Sequence, residues 1–173
     1  MSRLCLPRYT VIRDTREQKD RGWIFDKHKP ERRPPNCDGT VREKLDIGDY
    51  SLVGYQDVLS IERKAHFSEL WTDYSPDRKK MDEKIEKMSE IKYKYVLIES
   101  SIEKDHFQLS PPQYRTNVPG KALIRWLMAW SVKYNIHVMF VGQCGKSIAQ
   151  MIFEQVIREE KDRWILSGQP STD

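Results

Sequence analysis

The six residues LSIERK, positions 59–64, constrain this chain more than any other stretch. Leu59 and Ile61 alternate with polar residues, the period of a β-strand, so Ser60, Glu62 and Lys64 share one face while Leu59, Ile61 and Arg63 take the other. An acid and a lysine pointing together out of a strand need something beside them. Residues 47–57, IGDYSLVGYQD, supply it, because Gly48 and Gly54 punctuate short β-forming runs and a hairpin would bring Asp49 alongside Glu62. Two carboxylates converging in this way suit a hard cation such as magnesium or manganese, and Lys64 would stand next to that cation's water. Phosphodiester cleavage needs an acidified water, a Lewis acid on the phosphate oxygens and a positive charge against the phosphorane, and this set provides all three. The bland alternative is an exposed ion pair on an edge strand, worth at most about 1 kcal/mol. Spacing alone leaves both open.

The surrounding pattern predicts an α/β chain. Residues 9–14 (YTVIRD) read as a strand that ends at Asp14, and residues 41–45, 50–53 and 58–64 read as consecutive strands of a β-meander. Residues 22–39, with Pro30, Pro34, Pro35 and Gly39, have no sustained period and read as a long surface loop. Phe67, Leu70 and Trp71 fall at helical spacing, and after Pro76 the residues Met81, Ile85 and Met88 form one apolar stripe with Lys and Glu on the other face. YVLIE at 95–99 is a buried strand, 105–119 a proline-rich loop, and Leu123, Leu127, Trp130 and Tyr134 line a helix. A strand at 137–141 and an amphipathic helix at 147–161, with Ile148, Ile152 and Val156 in register, complete the pattern. The expectation is one domain over residues 1–166, a mixed central β-sheet flanked by helices, followed by a flexible tail at 167–173.

Composition narrows the partners. A hydrophobic share of 38% against 32% charged residues is enough to build a core, and the formal charge of +4 is too small to identify a polyanionic partner by itself. Distribution says more. Between Lys19 and Lys44 lie eight basic residues against five acidic ones, interleaved with Trp23 and Phe25. That stretch either faces phosphates or is simply solvated; if the former, Arg32 and Arg33 lead as phosphate contacts, with Lys29 and Arg42 beside them. Cys5, Cys37 and Cys144 are odd in number and form no CxxC pair, which fits an intracellular, reducing setting, cytoplasmic or nucleoid-associated. No secretory leader or run of eighteen apolar residues is present, so no membrane partner is expected.

Three segments together resemble a known family. IRDTREQ at 12–18, GDY at 48–50 and IERK at 61–64 look like the signature segments of XPF-type (XPF/Hef-like) nucleases, a branch of the PD-(D/E)XK superfamily, in the family's order. Residues 77–99 are also similar to the helix and strand that follow in that family. The resemblance implies a restriction-endonuclease-like core and a divalent-metal-dependent DNA endonuclease using Mg2+ or Mn2+. By position it puts the metal ligands on Asp14, Asp49 and Glu62, the catalytic lysine on Lys64 and supporting roles on Arg16, Glu17 and Arg63. It further implies branched DNA (forks, flaps or junctions) as substrate, a place in repair or recombination, cleavage leaving a 5′-phosphate and 3′-hydroxyl, and a homodimer; the helices at 120–134 and 147–161 are candidate surfaces for it, and their apolar stripes are equally well explained as core. One position departs: where the family has an Asp four residues after the lysine, this chain has Ser68, with Glu69 beside it. The family often adds a helix-hairpin-helix module after the nuclease domain, for which these 173 residues leave no room.

The rival reading from another class is a nuclease fold without activity that binds branched DNA or scaffolds a partner. Ser68 speaks for it; the intact carboxylates speak against it, because each unneutralised one repels DNA. VGQCGKS at 141–147 imitates a phosphate-binding loop but has Phe140 where the turn glycine should stand, so no nucleotide cofactor is expected. His28 with Cys37, or His66 alone, falls short of a metal site or a supported base.

Overall fold

A computed structural model describes residues 6–17, 22–25, 36–74, 77–107 and 118–166, with the side chains of Asp105 and of residues 162–166 left aside. Six strands, β1 (Tyr9–Asp14), β2 (Cys37–Glu43), β3 (Tyr50–Leu52), β4 (Leu59–Lys64), β5 (Tyr93–Ile98) and β6 (His137–Phe140), form one mixed sheet. Their order across it is β2-β1-β3-β4-β5-β6. Among the described residues four α-helices accompany them: α1 (Glu69–Tyr74), α2 (Arg78–Met88), α3 (Gly120–Tyr134) and α4 (Gly145–Leu166). The α/β expectation holds.

Alternation along the strands sorts side chains into two cores. Leu59 and Ile61 of β4 and Leu97 of β5 join Ala149, Ile152, Phe153, Val156 and Ile157 of α4 on one face of the sheet. Val96 and Ile98 of β5 point the other way, into a cluster with Leu70 and Trp71 of α1, Met81, Ile85 and Met88 of α2, and Leu123, Leu127 and Trp130 of α3. The apolar stripes expected for α2 and α3 are thus core, and each large side chain so buried contributes roughly 1.5–3 kcal/mol. The α3 helix ends at Asn135, whose left-handed backbone (φ 54°) is one that Asn tolerates better than most residues with a Cβ.

Two expectations need correction. Only β3 and β4 form a hairpin of the predicted meander. β2 lies at the far edge, parallel to β1, which inserts between β2 and β3. Local runs do not encode which strand a segment pairs with once a loop of more than twenty residues separates β1 from β2. The stretch 22–39 is not all surface either. Trp23 and Phe25 are core residues, fixed where the Trp23 N–H donates to the Tyr50 hydroxyl (2.6 Å) and the Phe25 N–H to Thr40 Oγ1 (2.7 Å), and Cys37 is fully buried in β2. Within the expected loop at 105–119, a 3-10 turn at Lys104–Phe107 begins the segment. Lys29, Arg32, Arg33 and His28, Cys5, and the tail at 167–173 lie outside the described residues. Among the described residues no helix is long and apolar enough to cross a membrane.

Phe153 lies fully buried where α4 meets the sheet, its ring edge-on to Phe25 at 5.9 Å. Phe153→Ala should therefore lower unfolding stability by about 3–5 kcal/mol, the usual cost of emptying an aromatic site, measured as the shift of the urea midpoint at unchanged slope.

Candidate active site

The ends of β1, β3 and β4 bring the predicted residues together through backbone bonds. Asp14, last in β1, donates its N–H to the Asp49 carbonyl (2.8 Å), and the Asp49 N–H in turn donates to the Ile61 carbonyl (2.8 Å). Gly48 makes this entry possible. Its φ of +79° is one that L side chains rarely adopt, and a Cβ there would overlap the Ser60 hydroxyl and crowd the Ile61 carbonyl at 3.1 Å. The Arg63 N–H then donates to Asp49 Oδ2 (2.8 Å), so Asp49 is locked against the next residue after Glu62.

The three acids have different surroundings. Asp14 is 1% exposed, and both its oxygens are engaged: Oδ1 accepts from the Arg16 N–H and Nε (2.7 Å each), Oδ2 from Arg16 Nη2 (3.1 Å) and the Leu45 N–H (2.6 Å). Burial would push its carboxyl up, but those donors outweigh burial and hold it below the usual range. Glu62 is buried between two ammonium groups, with Lys64 Nζ 3.0 Å from Oε1 and Lys84 Nζ 2.5 Å from Oε2. Burial again acts upward, and the two lysines overcome it and bring the carboxyl down to about 2. Burial and the charge of Glu62 outweigh Lys84 at 3.8 Å and the Arg63 N–H at Asp49, and its carboxyl is pushed up to about 7.

Lys64 is held from two sides, by Glu62 and by Asp73 Oδ2 of α1 at 2.9 Å. Burial alone would pull its ammonium down; the two carboxylates more than compensate and keep it firmly protonated. Arg63 points to the α4 side of the sheet. It donates to Glu17 Oε1 (2.9 Å) and Glu99 Oε2 (2.8 Å), and lies over the Trp23 ring at 5.3 Å. Arg16 and Glu17 thus steady Asp14 and Arg63 respectively. Arg42 is exposed on β2, with Nη2 donating to the Thr15 carbonyl at 2.8 Å.

Two residues here escape a reading of the sequence. Lys84 is not on the solvated face of α2 but at the edge of its buried stripe, three residues after Met81 and four before Met88, and that phase was the available signal. Asp73 supplies a carboxylate to Lys64 that Ser68 cannot. Glu69 is half-buried, its carboxyl raised by burial and only partly relieved by Lys64 and the Ala65 N–H. A pattern tied to a fixed offset from the lysine does not reveal an acid nine residues on.

Among the described residues no group of three or more His, Cys, Asp or Glu side chains is arranged to hold a metal ion. Yet Asp49 and Glu62 do meet at one positive charge, the Lys84 ammonium, and oxygen donors around a compact cation are the donor set that magnesium or manganese takes. These two residues fit such an ion; Asp14 would first have to release Arg16 or Leu45. A cleft of about 360 Å³ opens beside them, lined by Arg16, Asp46, Ile47, Asp49, Lys80, Glu83, Lys84 and Lys87. The imitation phosphate loop does something else: Gly145 opens α4 so close to Glu99 and Trp23 that a Cβ would lie 2.6 Å from Glu99 Oε1.

The raised carboxyl of Asp49 has a measurable sign. A folded-state value above the ordinary one means that the native chain keeps a proton the unfolded chain has lost, so this group's contribution to stability falls as pH rises from 3.8 to about 7. In chelator, Asp49→Asn should flatten that part of the stability profile and melt above the wild type at pH 8, as read by thermal unfolding at pH 5 and pH 8.

No sequence-family model matches the chain, and no curated protein matches it. Solved structures do. XPF from Aeropyrum pernix superposes with a TM-score of 0.58 at 20% identity, covering 90% of this chain and 66% of that one. XPF from Aeropyrum pernix in complex with DNA gives a TM-score of 0.55 at 19% identity, with the same coverage of each chain. This chain accordingly spans 66% of the length of the XPF chain it matches. Its six-stranded sheet with helices on both faces is the fold of the XPF nuclease structures.

Proposed function

We propose that this chain is a divalent-metal-dependent DNA endonuclease that hydrolyses phosphodiester bonds in branched DNA, such as forks, flaps or junctions, during repair or recombination. The observation that carries the proposal is the meeting of Asp49 and Glu62 at one cation, with Lys64 on the far oxygen of Glu62, at the end of β3 and β4 in an XPF-like sheet. Asp49 and Glu62 would hold Mg2+ or Mn2+, with Asp14 completing the set. When bound, the ion supplies Lewis-acid polarisation of the phosphate and a more acidic attacking water.

The chain's own residues account for the rest. Lys64, kept protonated by Glu62 and Asp73, presents a fixed positive charge and hydrogen-bond donor to the charge that builds on the phosphate. It would position the attacking water or help to deprotonate it. Arg16 clamps Asp14, and Arg63 fixes Asp49 through its N–H while Glu17 and Glu99 fix Arg63. Hydrolysis would leave a 5′-phosphate and a 3′-hydroxyl. DNA contacts are assigned to Lys29, Arg32, Arg33 and Arg42, of which the exposed Arg42 is among the described residues.

Residues 1–166 are assigned to one nuclease domain, 167–173 to a flexible tail, and the setting to the cytoplasm or nucleoid. Pairing of two copies is supported by large apolar side chains left in solvent: Met128 and Val132 on α3, Met139 on β6 and Met151 on α4, with Val132 88% exposed. A second reading, the inactive DNA-binding module, is favoured by two observations: Ser68 and the lysine already seated between the carboxylates.

The test is cleavage of labelled linear, flapped, forked and four-way DNA with magnesium, manganese or chelator. Branched forms should be cut only with metal, and Asp49→Ala and Glu62→Ala should each lose about 1,000-fold or more, the scale of several kcal/mol of charge stabilisation. Tight binding of branched DNA without cutting under either metal would instead establish the binding module.

A further inference from the structure

Lys84 reaches the site from α2, and none of the steps above needs it. Its Nζ lies 2.5 Å from Glu62 Oε2 and 3.8 Å from Asp49 Oδ1, the same oxygens a divalent ion would use. Its side chain is 36% exposed, against 3% for Glu62 and 16% for Asp49, so it closes the carboxylates off from the cleft side while Lys64 closes them from within. A magnesium ion bonds carboxylate oxygen at about 2.0–2.1 Å, which would set it against an ammonium on the same oxygen and bring two strong positive charges together. Ion and ammonium therefore exclude each other.

The lysine has somewhere to go. Lys80, Lys84 and Lys87 follow one another at helical spacing and line the same cleft as Arg16, with Asp46 and the α2 residue Glu83 also in its wall. A four-carbon stem lets the Lys84 head swing outward while α2 stays packed through Met81, Ile85 and Met88. A DNA phosphate lying in that cleft would offer the displaced ammonium a new anionic partner.

We propose that Lys84 is a resident counter-ion which competes with the divalent metal for Asp49 and Glu62 and is drawn off onto a DNA phosphate in the cleft, so that metal and DNA each tighten the binding of the other. The inference rests on the metal-dependent reading. Linkage makes the effect reciprocal, and it leaves the DNA-free protein a weak metal binder.

The experiment is Mn2+ titration of the whole chain followed by electron paramagnetic resonance, with and without a short phosphorothioate fork that resists cleavage. Wild type, Lys84→Met, Lys84→Gln, Lys84→Arg and Glu62→Gln are compared. Without DNA, Lys84→Met and Lys84→Gln should bind Mn2+ about tenfold or more tighter than wild type, a coupling of ordinary size, while Lys84→Arg stays near wild type. The fork should tighten Mn2+ binding to wild type and change the neutral variants much less. Melting in chelator checks folding: the neutral variants should melt lower than wild type and gain more on adding Mn2+. If they bind Mn2+ no tighter than wild type while Glu62→Gln abolishes binding, the competition is overturned and the metal site stands. A wild-type affinity indifferent to the fork overturns the coupling without any variant. Mn2+ binding that is absent, or unchanged in Glu62→Gln, overturns the metal reading and this inference with it.

Discussion

Two carboxylates brought together inside a protein need either nearby positive charge or a proton on one of them, and the ends of β3 and β4 are organised around that requirement. Removing one partner from a buried ion pair costs roughly 3–5 kcal/mol, because the remaining charge has neither water nor counter-ion. Glu62 meets the requirement twice, with Lys64 on one oxygen and Lys84 on the other. Asp49 meets it only partly, which is why burial and the neighbouring charge push its carboxyl upward. Glu62 is thus the better compensated of the two and Asp49 the less compensated. Under the proposed function a dication would offset Asp49 better than an ammonium can, since it brings twice the charge to the same oxygens.

The sheet makes this balance possible by separating what β4 does on its two faces. Leu59 and Ile61 are fully buried against α4, a conventional core, while Ser60, Glu62 and Lys64 face the helices that follow. α1 and α2 bring Asp73 and Lys84 into contact with the charged residues of that second face, and Leu70, Trp71, Met81, Ile85 and Met88 of the same helices are core. The polar cluster is therefore enclosed by the same helices that build the second core. Leu70, Trp71 and Ile85, all of them buried, keep those helices in place, while the Lys84 stem, open to the cleft, leaves its head free to move. Such enclosure favours a fixed geometry over a loose one.

Much of this was legible in the sequence where a local rule decides the outcome. Period-two alternation put Glu62 and Lys64 on one face of β4, and the stripe of Met81, Ile85 and Met88 marked the buried face of α2. Gly48 announced the turn that delivers Asp49, and its positive φ shows why no other residue fits easily there. What local rules do not decide was missed. Whether β2 pairs with β3 or β1 depends on a long connection; Trp23 and Phe25 are core residues in a stretch without period, held by hydrogen bonds to Tyr50, Glu99 and Thr40. Lys84 was hidden because a lysine beside an apolar stripe is usually one that covers it with its stem and leaves its head in water. Only the acids across the gap, on strands far away in sequence, distinguish the two cases.

Arg63 shows how the two faces are joined. Its N–H holds Asp49 on the helix α2 side, while its guanidinium, on the other side, is fixed by Glu17 and Glu99 and lies over Trp23. Glu99 also accepts from Trp23 Nε1 at 2.8 Å, and the start of α4 at Gly145 approaches both so closely that a side chain there would collide with them. A planar guanidinium with a fixed set of donors can satisfy two carboxylates and an aromatic face at once, which an ammonium on a flexible stem could not do in the same geometry. Exchange of Arg63 for lysine would keep the charge and lose the brace. The arginine in the ERK segment thus stands as the structural member of the three: Glu62 and Lys64 hold their charges on the buried face toward Asp73 and Lys84, and Arg63 anchors the strand that carries them to the opposite layer.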